Sequence, residues 1–241
     1  MKPIVVTAST MMELSELVRG TAALPVSGVG HLQVFRGALG EREILLATTG
    51  IGKVNAASAA TLLLERFSPE LLVNTGCGGA FPGCGLCVGG LAVADSECLA
   101  DEGVQTPEGW RGLDLIGIPV FEGGGERIFN RIPLDAGLVR EALECARKGG
   151  CRAVAGPFLT VSTCSGTSAK GEELLQRFPG VCENMEGGAV AQVALCYGVP
   201  LLEVRGISNM VEDRDLARWD LRRAVSEAQS LVLSFLATRC S

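Results

Sequence analysis

One histidine, His31, serves the whole 241-residue chain. A Ser-His-Asp or Cys-His catalytic engine would have to use it, and a zinc site could draw on only one imidazole. Acid–base chemistry here falls to carboxylates. Positive charge is also short. The 21 Lys and Arg residues face 27 Asp and Glu, a net charge of −6, so the electrostatic footprint of a nucleic-acid binder is missing. No apolar run approaches the roughly 18 residues that a membrane span needs. The opening stretch MKPIVVTAST carries one lysine and a short apolar step, too short for the apolar region of a secretory signal.

What is present suits a folded enzyme-sized domain. Hydrophobic residues make up 47% and charged residues 20%, enough to bury a core. The length fits one large domain, and no internal repeat or low-complexity linker divides it. Ten cysteines in a chain without a secretory leader read as reduced thiols of a cytoplasmic protein, mostly small buried hydrophobes. Cys84 and Cys87 form one CxxC, but two further well-placed ligands are missing, so no metal is expected.

Strand-like runs alternate with helical patterns. Strands are expected over 3–7, 32–38, 43–49, 71–75, 89–95, 158–162 and 201–207, and helices over 11–22, 53–67, 136–148, 172–178, 187–197 and 216–237. This alternation predicts an α/β domain, 1–241, with a central mixed, largely parallel twisted sheet flanked by helices. The stretch 101–133, rich in glycine, reads as a long irregular flap. In such sheets the site lies beyond the carboxyl ends of the strands, which singles out the loops after Thr7, Thr75, Ser162 and Ile207.

Glycine motifs narrow the chemistry. The turn Thr49-Gly50-Ile51-Gly52-Lys53 lies between a strand and a helix, where phosphate loops occur. The P-loop pattern fails because Ala47 and Val54 occupy its required positions, and the dinucleotide fingerprint fails at Asn55. Four blocks then resemble the nucleoside phosphorylase/nucleosidase superfamily, in family order: Thr49 to Ala57, Val73 to Ala80, Glu183-Asn184-Met185-Glu186-Gly187 and Val204-Arg205-Gly206-Ile207-Ser208-Asn209. Within it, Asp101-Glu102-Gly103-Val104 and Asp213-Arg214-Asp215 with Trp219 resemble the futalosine hydrolase family. The methylthioadenosine/S-adenosylhomocysteine nucleosidases are the rival family.

The resemblance implies hydrolysis of a purine N-glycosidic bond, with no metal or organic cofactor. It implies a small-molecule nucleoside as the binding partner and a homodimer or higher homo-oligomer as the assembly. Glu186 would accept the ribose hydroxyls, which suits an acceptor-only carboxylate facing a diol, and Met185 would pack under the sugar. Glu13 would deprotonate the attacking water, with Glu16 as the alternative. Asn209 stands where adenine-specific relatives carry aspartate. Its amide can donate to N7 or O6 of a 6-oxopurine and steady charge on the departing base; Asp213 is the alternative acid. Gly78 and Gly79 would offer backbone N–H groups. Gly166 and Thr167 would contact the base from a loop without an aromatic, leaving stacking to Phe158. Cys77 stands where relatives often carry serine. Asn74 stands where hexameric phosphorylases of the superfamily carry a phosphate-clamping arginine, which favours water as nucleophile. One of Arg111, Arg127 and Arg131 would pair the carboxylate on the 5′ arm of futalosine. A phosphorylase, an adenine-releasing nucleosidase and a non-enzymatic nucleoside-binding or thiol-metal protein remain the alternatives.

Overall fold

The computed structural model describes residues 2–240. Its strands in chain order are Ile4–Ala8 (β1), Leu24–Val26 (β2), Gln33–Leu39 (β3), Arg42–Thr48 (β4), Leu71–Ala80 (β5), Leu91–Leu99 (β6), Val104–Thr106 (β7), Gly109–Arg111 (β8), Phe121–Gly123 (β9), Glu126–Ile128 (β10), Arg131–Pro133 (β11), Ala153–Thr160 (β12), Cys182–Asn184 (β13) and Leu201–Met210 (β14). Helices are Ser15–Gly20 (α1), Lys53–Phe67 (α2), Ala136–Lys148 (α3), Ser168–Arg177 (α4), Gly187–Tyr197 (α5) and Leu221–Arg239 (α6).

One mixed ten-stranded sheet organises the chain. β1 pairs in parallel with β4 and β5, and β14 pairs in parallel with β5 and antiparallel with β6. β6 pairs in parallel with β12, β12 with β13, and β13 returns antiparallel to β5. The pairings β5–β14–β6–β12–β13–β5 therefore close on themselves into a ring.

Helices cover both faces of the sheet, so its strands are apolar on both sides. Ile4, Val6 and Ala8 pack with Leu17, Leu138, Ala142 and Phe235 from α1, α3 and α6. The alternate residue Val5 packs with Ala56 and Leu63 of α2 and Val190 and Ala194 of α5. This period of two is what a pleated strand dictates.

Several elements differ from expectation. The helix expected over 11–22 breaks into a 3₁₀ turn, Met11–Glu13, and α1, because the Glu13 carboxylate reaches back to the Thr10 backbone N–H and hydroxyl, both at 2.9 Å. β5 runs on through the glycines to Ala80 and β14 through Ser208 and Asn209 to Met210, since each pairs with the other along this stretch. The stretch 101–133 is not irregular. It holds two short hairpins, β7–β8 and β9–β10, and the edge strand β11. Strands of three residues are too short to show alternation. Buried Asn130 fastens the segment, donating to the carbonyls of Leu99 (2.8 Å) and Glu102 (2.7 Å) and accepting from Leu113 N–H (2.7 Å). Among the described residues no helix is long and apolar enough to cross a membrane.

Candidate functional site

A cavity of about 310 Å³ opens at the carboxyl ends of β1, β5, β12 and β14. Its wall includes Glu13, Cys77, Gly78, Gly79, Met185, Glu186 and Asn209. Six of these seven were expected to touch ligand, and Cys77 was singled out beside them. The topology brings them together from positions almost 200 residues apart.

Glu13 is buried at the pocket floor. Besides its bonds to Thr10, its Oε1 accepts from the Cys77 backbone N–H at 3.0 Å. A Cβ on Gly76 would lie 2.6 Å from Glu13 Oε1 and 2.8 Å from Arg205 Nη1. Only a glycine lets both side chains reach this point. Glu16 lies outside the pocket wall, its backbone N–H tied to Gln229 at 2.8 Å.

Glu186 opens α5, and its Oε1 accepts from the Gly52 N–H at 2.9 Å. Its backbone N–H and that of Gly187 donate to Asn184 Oδ1 at 2.9 and 2.7 Å, which fixes where the carboxylate starts. The Gly50–Lys53 turn thus serves Glu186 through its backbone. Lys53 itself pairs with Asp101 (2.5 Å) and Glu102 (2.9 Å), so it holds the start of the 101–133 segment against α2.

Asn209 accepts from Ser208 Oγ at 2.8 Å and donates to the Met210 carbonyl at 3.0 Å. One amide hydrogen is left for an acceptor in the pocket. Asp213 lies outside the wall, accepting from Ser168 N–H at 2.9 Å.

The chief residue missed in the sequence is Arg205. It is 1% exposed. Its Nε and Nη2 lie 3.0 and 2.9 Å from Glu203 Oε1, and its Nη1 donates to the Cys77 carbonyl (3.2 Å) and Glu186 Oε2 (3.4 Å). Burial works against this charge, yet Glu203, Glu186 and Glu13 hold its pKa above the usual guanidinium value. The signal was there: Glu203 and Arg205 sit two apart in the apolar run LLEVRGI, so both point to one face of a buried strand. Charged residues in such a place are almost always paired.

Other expectations are corrected. Thr167 does not reach the pocket; it caps α4, accepting from Lys170 N–H at 3.2 Å. Gly166 also lies outside the wall and accepts from Arg214 N–H at 3.2 Å. The loop's pocket residues are instead Cys164 and Ser165, because Ser165 turns inward to bond Glu183. Phe158 is fully buried in the core, and the aromatic wall residue is Trp219. Asn74 sits behind the pocket, outside its wall, donating to Glu203 Oε1 at 3.1 Å.

The three flap arginines are absent from the wall as well. Arg131 faces Asp95 and Ser96, and Arg127 lies over Phe129. Arg111 borders a different recess beside Trp110 and Arg177. The pocket's second cation is Arg214, stacked on the Trp219 ring at 4.6 Å. Among the described residues no carboxylate forms an ion pair with it.

The Cys77 thiol is pushed up to about 12, first by burial and then by the Glu13 charge. It is therefore a neutral thiol, not a nucleophilic thiolate. Iodoacetamide at neutral pH is expected to label exposed Cys87, Cys151 and Cys196 well before Cys77, as peptide mass mapping would show. Early labelling of Cys77 would contradict this environment.

Comparison with known proteins agrees with this architecture. The model of a family described as the Phosphorylase superfamily matches residues 3–237. Futalosine hydrolase of Thermus thermophilus is 37% identical over 203 residues, covering 84% of this chain and 85% of that protein. A 5′-methylthioadenosine/S-adenosylhomocysteine nucleosidase of Geobacillus kaustophilus is 32% identical over 213 residues, covering 87% and 86%. Among solved structures, a futalosine hydrolase mutant of Helicobacter pylori superposes with a TM-score of 0.84 at 20% identity, covering 99% of this chain and 100% of that one.

Proposed function

This chain belongs to the Phosphorylase superfamily, and from that premise we propose that its substrate is futalosine, cut to hypoxanthine and dehypoxanthine futalosine in the alternative menaquinone pathway. The reaction class is hydrolysis of a nucleoside's N-glycosidic bond, the class to which relatives at 37% and 32% identity belong. The observation that carries the substrate reading is the pocket wall itself. Around one cavity it joins the carboxylates of Glu13 and Glu186, the amide of Asn209 and Arg214, which has no carboxylate partner among the described residues.

In this reading Glu186 accepts the 2′ and 3′ hydroxyls, made a stronger acceptor by its charge. Asn209 donates its remaining amide hydrogen to N7 or O6 of the base. Charge that builds on the base as the bond breaks is steadied there. Glu13 takes a proton from water as the water reaches an oxocarbenium-like C1′. Arg205 places its charge close to both Glu13 and Glu186. Arg214 pairs with the carboxylate on the 5′ arm, and Trp219 offers a flat apolar face beside it.

The test is chromatography of the purified protein incubated with futalosine, inosine or methylthioadenosine, each with and without phosphate. Hypoxanthine from futalosine in the absence of phosphate is the expected product. Arg214→Ala is expected to raise KM for futalosine by about tenfold, the scale of one lost charge-assisted hydrogen bond, and to leave inosine unaffected. Adenine released from methylthioadenosine in preference would sink the substrate reading and favour the second relative's activity. A strict need for phosphate would make the protein a phosphorylase. No base release from any nucleoside would point to a binding protein.

A further inference from the structure

Behind the pocket wall lies a buried acid pair that the chemistry above does not use. Glu97 on β6 and Glu203 on β14 are both 0% exposed. A Cβ on Gly187 would overlap Glu97 Oε1 and both carboxyl oxygens of Glu203, so the two acids face each other across that glycine.

Their partners are unequal. Glu203 Oε1 is crowded, with Arg205 Nε at 3.0 Å and Asn74 Nδ2 at 3.1 Å. Glu203 Oε2 is buried with no hydrogen-bond partner. Glu97 has no cation of its own. It accepts from Thr160 Oγ1 at 2.7 Å and Asn184 Nδ2 at 2.8 Å. Two facing buried carboxyls, with the single guanidinium held by Glu203, strongly disfavour a charge on both. An orphaned buried acceptor beside an acid without a counter-ion has one economical solution, a proton on the acid.

We propose that Glu97 is protonated and donates to Glu203 Oε2, and that this one-proton dyad is a positioning device for the pocket. One arm runs from Glu203 through Arg205 to the Glu186 carboxylate. The other runs from Glu97 through Asn184 to the backbone N–H groups of Glu186 and Gly187. Both arms end on Glu186, so the shared proton sets where the diol acceptor points.

The surroundings agree. Burial, then the Glu203 charge, pushes the Glu97 carboxyl well above the usual range. Burial raises Glu203 as well, although Arg205 opposes it. On the other elements packed here, the titratable or charged groups are Arg205 on β14, Cys182 on β13 and Glu186 at the start of α5, with Cys98 adjacent on β6. The Cys182 and Cys98 thiols are themselves pushed up by burial, so neither supplies a charge. The link from dyad to activity rests on the nucleosidase reading of the pocket. The proton itself does not.

Two measurements test it. Infrared difference spectra of wild type against Glu97→Gln, taken without substrate at slightly alkaline pH, are expected to show a carboxylic C=O band lost in the variant. Exposed carboxyls are fully ionised there. In kinetics with whichever nucleoside the wild type cleaves, Glu97→Gln is expected to stay within about threefold of wild-type kcat/KM, because its amide can donate where the acid did. Glu97→Ala, which leaves Glu203 Oε2 unpaired, is expected to lose about thirtyfold, the effect of stranding a buried acceptor. If Glu97→Ala does not fold, the spectrum and the Gln variant still decide. Absence of the band, or a Gln variant as impaired as Ala, overturns the proposal. A band with no base release from any nucleoside would leave the dyad standing and remove the proposed function instead.

Discussion

Glu13→Ala is expected to lower kcat for base release by about 10²–10⁴-fold, the range that a positioned general base contributes, while KM stays close to wild type. The geometry supports both halves of this expectation. Three donors, the Thr10 N–H, the Thr10 hydroxyl and the Cys77 N–H, hold the carboxylate at the pocket floor. It is thereby aimed before any water arrives, which is what makes a base effective. In the proposed function the ribose and base contacts come from Glu186 and Asn209 on other elements, so binding is expected not to depend on residue 13. Steady-state kinetics on the variant, with Glu16→Ala as its partner, checks the assignment. A large loss in Glu16→Ala with Glu13→Ala unaffected would move the base one helical turn along the chain.

Arg205→Met is expected to cost about 3–5 kcal/mol of stability, the usual result of removing one partner from a buried ion pair. At roughly 2–4 °C per kcal/mol for a chain of this size, the melting temperature falls by about 6–20 °C. The loss should also depend on pH. Without the guanidinium, burial and the Glu186 charge act on Glu203 with only the Glu97 hydrogen bond opposing them, and its carboxyl, already raised, rises further. A carboxyl raised in the folded state keeps a proton that the unfolded chain has released. The variant is therefore most stable near the ordinary carboxyl pKa and weakens as pH rises toward the raised value. Thermal unfolding of variant and wild type at mildly acidic and mildly alkaline pH should show the larger gap on the alkaline side. Equal gaps, or a change of under about 2 °C, would mean that Arg205 does not neutralise this cluster.

Much of the framework is legible in the residues. Helices α2, α3 and α5 begin and end where their period and breakers place them: Pro69 follows α2, and Asp135 caps α3 through the N–H groups of Gly137 and Leu138. The carboxyl-end rule finds the pocket, because Glu13, Cys77, Ser165 and Asn209 all lie at or just past those strand ends. Legibility fails where long-range pairing overrides local signals. Gly76 to Gly79 look like a turn, yet strand β14 supplies partners along the whole run. Glu97 lies in a strand flanked by Ser96 and Cys98, and nothing local tells whether such an acid faces water or another acid. Nothing local marks Arg214 as the pocket's cation, because its place depends on how the segment after β14 folds back to the loop at Gly166.

The closed ring of strand pairings has a kinetic meaning. β5 and β14 begin 130 residues apart, yet they are the most extensively paired neighbours in the ring. Loops of that size close slowly, and folds dominated by distant pairings form slowly. During synthesis, which runs N-terminus first, a nascent chain can complete β1, β5 and the turn that aims Glu13 long before β14 exists. Until that last strand leaves the ribosome, Arg205 and Asn209 are absent, and Glu97 has no Glu203 to face. With the proposed roles, the emerging chain is expected to be catalytically silent until nearly all of it has been made, with Glu13 and Glu186 waiting in it without the neighbouring cation.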